Sequence, residues 1–201
     1  MAAVLDWLAR YARPILLVVP GLLAIGALVT ILGLPLIGWS IYGLGYLGLL
    51  LALPAVVAVY RASLDRTSWI AFGVLYLGVL LGVPVMLMVW GHYAQNPAVH
   101  DALTPYVITP LGMLAGAVAW IGLALFGLAA YGARAVPRGG AVLLVVAAAF
   151  ALPAELGLFA TVMWGLGIII ASTGLVWLAP QPEFRAPAFA GQRPDGVGSS
   201  R

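Results

Sequence analysis

The chain has 201 residues, of which 64% are hydrophobic and 7% are charged, and its formal net charge is +3. Soluble domains carry about 25% charged residues, so this composition excludes a water-soluble globular protein and indicates that lipid solvates most of the surface. The chain has neither cysteine nor lysine, which excludes disulfides, thiolate metal sites, iron–sulfur clusters and Schiff-base chemistry.

The first apolar stretch predicts two transmembrane helices. It runs from Pro14 to Tyr60 without a charged residue, which is too long for one span, because about 20 apolar residues cross the hydrocarbon core. Glycine and proline are the strongest turn signals, so we place the break at the Gly-Leu-Pro sequence of residues 33–35. Residues 1–13 are predicted to form a cytoplasmic N-terminal segment.

The rest of the chain predicts four more helices and a tail. The last apolar run, 141–179, barely holds two spans, and we place a tight turn at 153–155. Helix 5 would then be only about 22 Å long, and local thinning of the bilayer would accommodate it. Residues 180–201 are rich in Pro, Gly, Ala and Ser and predict a disordered cytoplasmic tail. The predicted spans, in chain order, are about 14–32, 36–60, 69–90, 106–131, 139–153 and 157–179.

The predicted fold is therefore all-α, a polytopic bundle of six transmembrane helices. With the N-terminus in the cytoplasm, all nine cations, which are all arginines, fall on the cytoplasmic side of the bundle. This distribution is what the positive-inside rule requires. We accordingly predict a multi-pass protein of a plasma (inner) membrane with both termini cytoplasmic. The lysine-free composition, rich in alanine, glycine and arginine, favours a bacterial source.

A weak repeat suggests that the six helices form three hairpins. The tripeptides at 33–35, 82–84 and 151–153 are Gly-Leu-Pro, Gly-Val-Pro and Ala-Leu-Pro, and each lies at the outer end of an odd-numbered helix. Helices 2 and 6 also share an aromatic-Gly-Leu-Gly sequence, at 42–45 and 164–167. Chance matching in so biased a composition is the alternative explanation.

The predicted spans hold no recognisable chemistry. They contain no Asp, Glu, His or Arg, whereas ion-coupled transporters and proton relays place such a group at mid-depth. Haem-binding bundles need histidines on facing helices, and no nucleotide-binding, metalloprotease or serine-hydrolase motif is present. We therefore predict no catalytic residue and no cofactor.

The outer face holds the remaining candidates for a site. His92, His100 and Asp101 lie in or beside the loop between helices 3 and 4, and Glu155 lies in the last outer turn. Nitrogen and oxygen ligands of this kind could hold a metal ion. His100 beside Asp101 could instead sense external pH. The plainer interpretation is solvated loop polarity, since no recognised ligand spacing links the four residues.

Two glycine pairs predict close contacts between helices. Gly78 and Gly82 form a Gly-x-x-x-Gly sequence on helix 3, and Gly112 and Gly116 form another on helix 4. Such pairs let helix backbones approach closely, either within the bundle or against a partner subunit. The arginines are scattered in pairs rather than gathered in a patch, so nucleic acid is not a predicted partner.

Prolines and polar aromatics within the spans are consistent with a ligand-binding pocket. Pro20 and Pro54 lack a backbone donor and should kink helices 1 and 2. Paired kinks can open a cavity, although packing is the commoner reason for them. Hydroxyls and amphipathic aromatics that could line a pocket, or form interhelical hydrogen bonds, are Thr30, Ser40, Tyr42, Tyr46, Tyr76, Trp120, Thr161, Trp164, Ser172 and Thr173.

These observations leave three functional hypotheses. The leading hypothesis, which rests on the ion-free core and the small residues, is an accessory or scaffold subunit of a membrane complex, without catalysis; the other two are alternatives. The prolines, aromatics and hydroxyls favour a carrier or channel for a small neutral or lipid-like molecule. The outer-face histidines and acids would serve a membrane enzyme or sensor.

Overall fold

The computed structural model describes residues 2–95, 109–155 and 160–180, and these fold into six α-helices. The all-helical prediction is confirmed. By length and composition, the first four helices are apolar enough to cross a membrane, and the last two are shorter apolar helices. The helices are α1 (Ala2–Ile31), α2 (Pro35–Tyr60), α3 (Arg66–Gln95), α4 (Thr109–Gly132), α5 (Arg138–Glu155) and α6 (Ala160–Trp177).

Helix α1 is longer than the predicted span, because it begins at Ala2 and continues through Pro14. A buried stripe explains the extension. Apolar residues that recur at three- and four-residue intervals lie on one helical face, and here the stripe crosses from the charged segment into the apolar run without a break. Its buried members are Leu8, Ala12, Leu16, Val19, Leu23 and Ala27.

The predicted break between the first two helices is confirmed at Gly33. This residue has φ 86°, a left-handed conformation that glycine adopts without steric cost. The amide of Gly33 donates to the Thr30 carbonyl at 3.1 Å, and the amide of Leu34 donates to the Val29 carbonyl at 3.1 Å. This is the Schellman pattern of hydrogen bonds that ends a helix, and Pro35 then opens α2 at its first position, where no amide donor is needed.

Asp65 caps α3, a feature that the sequence analysis did not single out. The backbone amide of Ser68 donates to Oδ1 of Asp65 at 2.8 Å, which satisfies one of the amides left free at a helix N-terminus. The Ser68 side chain and this backbone hydrogen bond hold the pKa of the Asp65 carboxyl below its usual range. The charged carboxylate therefore favours the start of α3.

The helix backbones form a closed ring of contacts. Each helix packs against its neighbours in the chain, and α6 packs back against α1. Among the residues that the structure describes, no other pair of helices brings its backbones into contact. A ring of six helices encloses a space along its axis unless side chains fill it completely.

Glycines set the closest approaches within the ring. A Cβ atom on Gly78 of α3 would overlap the backbone of Ala119 on α4, and one on Gly122 of α4 would overlap the backbone of Leu75 on α3. Gly26 of α1 faces the backbone of Tyr42 in the same way. Only a residue without a side chain allows backbones to approach this closely.

Tyrosine hydroxyls connect α2 to α3. Pro54 has no amide hydrogen, so it cannot donate the helical hydrogen bond to the carbonyl of Leu50, four residues earlier. The hydroxyl of Tyr76 on α3 donates to that carbonyl at 3.4 Å. The hydroxyl of Tyr46 on α2 donates in the opposite direction, to the carbonyl of Val79, at 3.2 Å. In a medium without water, such donors replace those that a kinked helix loses.

Candidate functional site

The predicted outer-face cluster falls largely outside the described part of the structure. His100 and Asp101 lie outside the described residues. His92 lies within α3 and Glu155 is the last residue of α5, but their side chains are not among those described. In the described ranges, no three His, Cys, Asp or Glu side chains gather to hold a metal ion. The metal and pH-sensing hypotheses stay predictions.

The predicted glycine pairs lie against other helices of the same chain. Gly78 meets the α4 backbone, Gly82 faces the hydroxyl of Tyr46, and a Cβ atom added to Gly112 would make an ordinary contact with Val85. Gly116 lines a cavity inside the ring. Packing within the bundle is therefore one use of these glycines, and their use by a partner subunit stays a prediction.

A small, partly open apolar cavity of about 90 Å³ lies between the helices of the ring. Side chains of α1, α2, α3, α4 and α6 line it, and most of them are aliphatic. Water is stable in a cavity only where two to four polar partners surround it, and this lining offers few. The cavity suits an apolar group rather than an ion or water. Its aliphatic walls include Leu23, Leu53, Leu75, Leu123, Ile168 and Leu175.

An aromatic cluster adjoins the cavity where α2 faces α6. Tyr42 and Tyr46 line the cavity and are nearly buried, at 7% and 9% exposure. The ring of Trp164 on α6 lies 5.0 Å from that of Tyr42 and 5.1 Å from that of Trp39, both on α2. Aromatic pairs at such distances attract each other, so the cluster holds α2 and α6 together across the ring.

The hydroxyls and aromatics that the sequence singled out have different surroundings. Tyr42, Tyr46 and Trp120 line the cavity, and Tyr76 and Trp164 contact neighbouring helices. The hydroxyls of Thr30 and Thr173 donate to carbonyls four residues earlier in their own helices, at 2.8 Å and 2.9 Å. The three residues that line the cavity are placed to contact a ligand there.

A second and larger recess, which we call the arginine recess, lies at one end of the bundle. It has a volume of about 1060 Å³, and three arginines line it, Arg10 and Arg13 from α1 and Arg134 from the turn between α4 and α5. Tyr60 also lines it, and its hydroxyl donates to the Leu178 carbonyl at 3.0 Å. No carboxylate of the described residues lines the recess.

Arg134 adopts an unusual backbone conformation in the arginine recess. Its φ is 54°, in the left-handed region that residues other than glycine and asparagine rarely adopt. Its amide donates to the Tyr131 carbonyl at 3.1 Å, and the next amide, of Ala135, donates to the Ala130 carbonyl at 3.0 Å. This is the same helix ending that Gly33 makes, with an arginine where glycine is favoured. Sequence reasoning missed it because no glycine marks the position.

The two cavities differ in what they can bind. The central cavity is apolar, and the guanidinium groups of the recess can hold an anion. No protein family, curated protein or solved structure matches the chain. Function must therefore be inferred from the ring, the central cavity and the arginine recess.

Proposed function

We propose that the chain is a multi-pass protein of a bacterial plasma membrane, with six spans arranged as three hairpins and both termini in the cytoplasm. The contacts of α1 with α2, α3 with α4, and α5 with α6 are the most extensive in the bundle, which supports the hairpins. The arginine recess is lined by α1, the end of α2, the connection between α4 and α5, and residues that follow α6, which supports a cytoplasmic end rich in arginine. Helices α5 and α6 have 18 residues each, about 27 Å, close to the thickness of the hydrocarbon core.

Cysteine labelling tests this orientation, because the chain has no cysteine of its own. Single cysteines are introduced as Ser63→Cys, in the connection between α2 and α3, and as Ala98→Cys, beyond α3. An impermeant thiol reagent applied to intact cells should label the second and spare the first. Labelling of the first alone would reverse the orientation.

We propose that the protein carries a small neutral or lipid-like molecule through the membrane. The observation that supports this function best is the closed ring of helices around an apolar cavity. The mostly aliphatic lining of this cavity offers an apolar molecule a solvation similar to that of lipid. The size of the cavity suits the end of a hydrocarbon chain or a small apolar ring.

Passage through the ring requires one contact between helices to open. The contact between α2 and α3 is the least extensive in the ring. It depends on the two tyrosine hydrogen bonds, from Tyr46 to Val79 and from Tyr76 to Leu50. Interhelical hydrogen bonds in membranes are worth about 0.6–2 kcal/mol, a range that thermal motion can overcome. We propose that a ligand enters and leaves the cavity between these two helices.

The accessory-subunit hypothesis competes with this proposal. It predicts a stable partner, and the partner would need a surface other than Gly78 and Gly82, because both already face inward. Native mass spectrometry of the protein extracted gently from its own membrane separates the two hypotheses. An added mass of a few hundred daltons on the monomer or homo-oligomer supports the carrier, whereas a complex with other subunits and no small molecule would overturn it.

A further inference from the structure

Three exposed arginines from two parts of the chain line the arginine recess. Arg10 and Arg13 are three residues apart on α1, a spacing that places them on one face of the helix. Arg134 reaches the recess from the turn after α4. Like charges on one surface repel each other, so an anion between them would stabilise the arrangement. The described residues form one ion pair, between Arg61 and Asp6 at 3.1 Å, and neither of these residues lines the recess.

The walls of the recess are amphipathic. Small apolar residues lie beside the arginines, including Ala58, Val59 and Val136. A free inorganic anion gains nothing from such a wall, whereas a phosphate attached to a glycerol backbone or an acyl chain would contact both parts. The composition of the recess therefore favours an anionic group with an apolar portion.

The level of the recess in the bilayer favours a lipid as the source of the anionic group. Trp7 and Tyr11 lie on α1 beside Arg10, with 49% and 45% of their surfaces exposed and their rings 5.1 Å apart. Tyr131 and Trp177 are similarly exposed near the ends of α4 and α6. Exposed tryptophan and tyrosine side chains favour the level of the lipid headgroups, so the recess opens where the phosphates of the bilayer lie.

We propose that the arginine recess binds a phosphate group, with Arg10, Arg13 and Arg134 as its ligands, and that an acidic phospholipid supplies it. The planar guanidinium presents paired donors that match two phosphate oxygens. This role explains why an arginine occupies the left-handed position that ends α4, where glycine would be favoured. The site is separate from the central cavity, so it does not depend on the proposed carrier function.

The substitution Arg134→Gly separates binding from folding. Glycine adopts the left-handed conformation without strain, so the variant should fold and should unfold at a higher temperature than the natural protein. It should bind acidic lipid about tenfold more weakly or worse, because a charge-assisted hydrogen bond is lost. The matched control is Arg138→Gln, at the same end of the bundle, where the guanidinium lies 5.9 Å above the ring of Tyr131 and outside the recess.

The experiment compares the full-length protein and both variants in nanodiscs of phosphatidylcholine with increasing phosphatidylglycerol. Native mass spectrometry measures retained phosphatidylglycerol, and a parallel arm adds inorganic phosphate as competitor. We expect the natural protein and Arg138→Gln to retain the acidic lipid and Arg134→Gly to lose it. Displacement by millimolar phosphate would support the phosphate site but overturn the lipid as its source. Equal retention by all three proteins, or equal loss in both variants, would overturn the site itself.

Discussion

Replacing Gly78 by alanine tests the close packing of α3 on α4. The new methyl group would overlap the backbone of Ala119 and lie 2.8 Å from the backbone carbon of Val118. A backbone cannot rotate away as a side chain can, so the two helices must separate. Overpacking of this kind costs about 1–3 kcal/mol.

Gly73 provides the matched control on the same helix. A Cβ atom there meets nothing within 4 Å, and the residue is exposed. Alanine favours a helix over glycine by about 1 kcal/mol in water. In a membrane or detergent the helices persist after they separate, so most of this gain cancels. Gly73→Ala should therefore change the stability by less than about 0.5 kcal/mol.

Reversible unfolding by sodium dodecyl sulfate in mixed micelles measures both free energies. We expect Gly78→Ala to lose about 1–3 kcal/mol relative to Gly73→Ala. Since the new methyl group forces α3 and α4 apart, the variant should also show a shifted total tryptophan emission, to which Trp120, next to Ala119 on α4, contributes. Equal stability of the two variants would refute the close approach of these helices, and with it the ring.

Three further predictions concern the helix ends and the contact between α2 and α3. Because the pKa of Asp65 is lowered in the folded chain, the contribution of its carboxylate to stability should be present above about pH 4 and lost as the pH falls further. The variant Asp65→Asn should keep the cap and abolish this pH dependence of the unfolding midpoint. Tyr76→Phe should destabilise the bundle by about 0.6–1 kcal/mol in the same micelle titration, because the Leu50 carbonyl loses its donor. An unchanged stability would show that the Tyr76–Leu50 hydrogen bond is absent from the folded protein in micelles. Asp6→Asn should change the stability by less than about 1 kcal/mol, because the ion pair with Arg61 is exposed; a larger loss would contradict that assignment.

The sequence predicted those features that depend on neighbouring residues. The break at Gly33 is an example, because a glycine followed by a proline favours a turn in any apolar run. Helix α1 begins at Ala2, before the predicted span, although Asp6, Arg10 and Arg13 precede the apolar run. Charged side chains on the outer face of a helix do not end it when the opposite face is buried, as it is here.

The cavities could be predicted only in part. Tyr42, Tyr46 and Trp120 were among the polar aromatics expected to line a pocket or to bond between helices, but a sequence does not say which face of each helix turns inward. Arg134 could not be found at all, because a left-handed residue other than glycine has no local signal. Gly78 was recognised as a close-packing residue, but its partner α4 followed only from the three-dimensional structure.

The central claim is that the apolar cavity inside the ring holds the carried molecule. A variant in which a larger side chain fills this cavity tests the claim most directly. Ala171→Phe places a ring in the cavity from α6, and Val176→Phe places the same ring on an exposed face of that helix. Both variants are extracted gently from their own membrane and weighed by native mass spectrometry. The account predicts that the natural protein and Val176→Phe carry a small molecule in addition to any phospholipid of the arginine recess, and that Ala171→Phe lacks this molecule. The same added mass on a folded Ala171→Phe variant would contradict it.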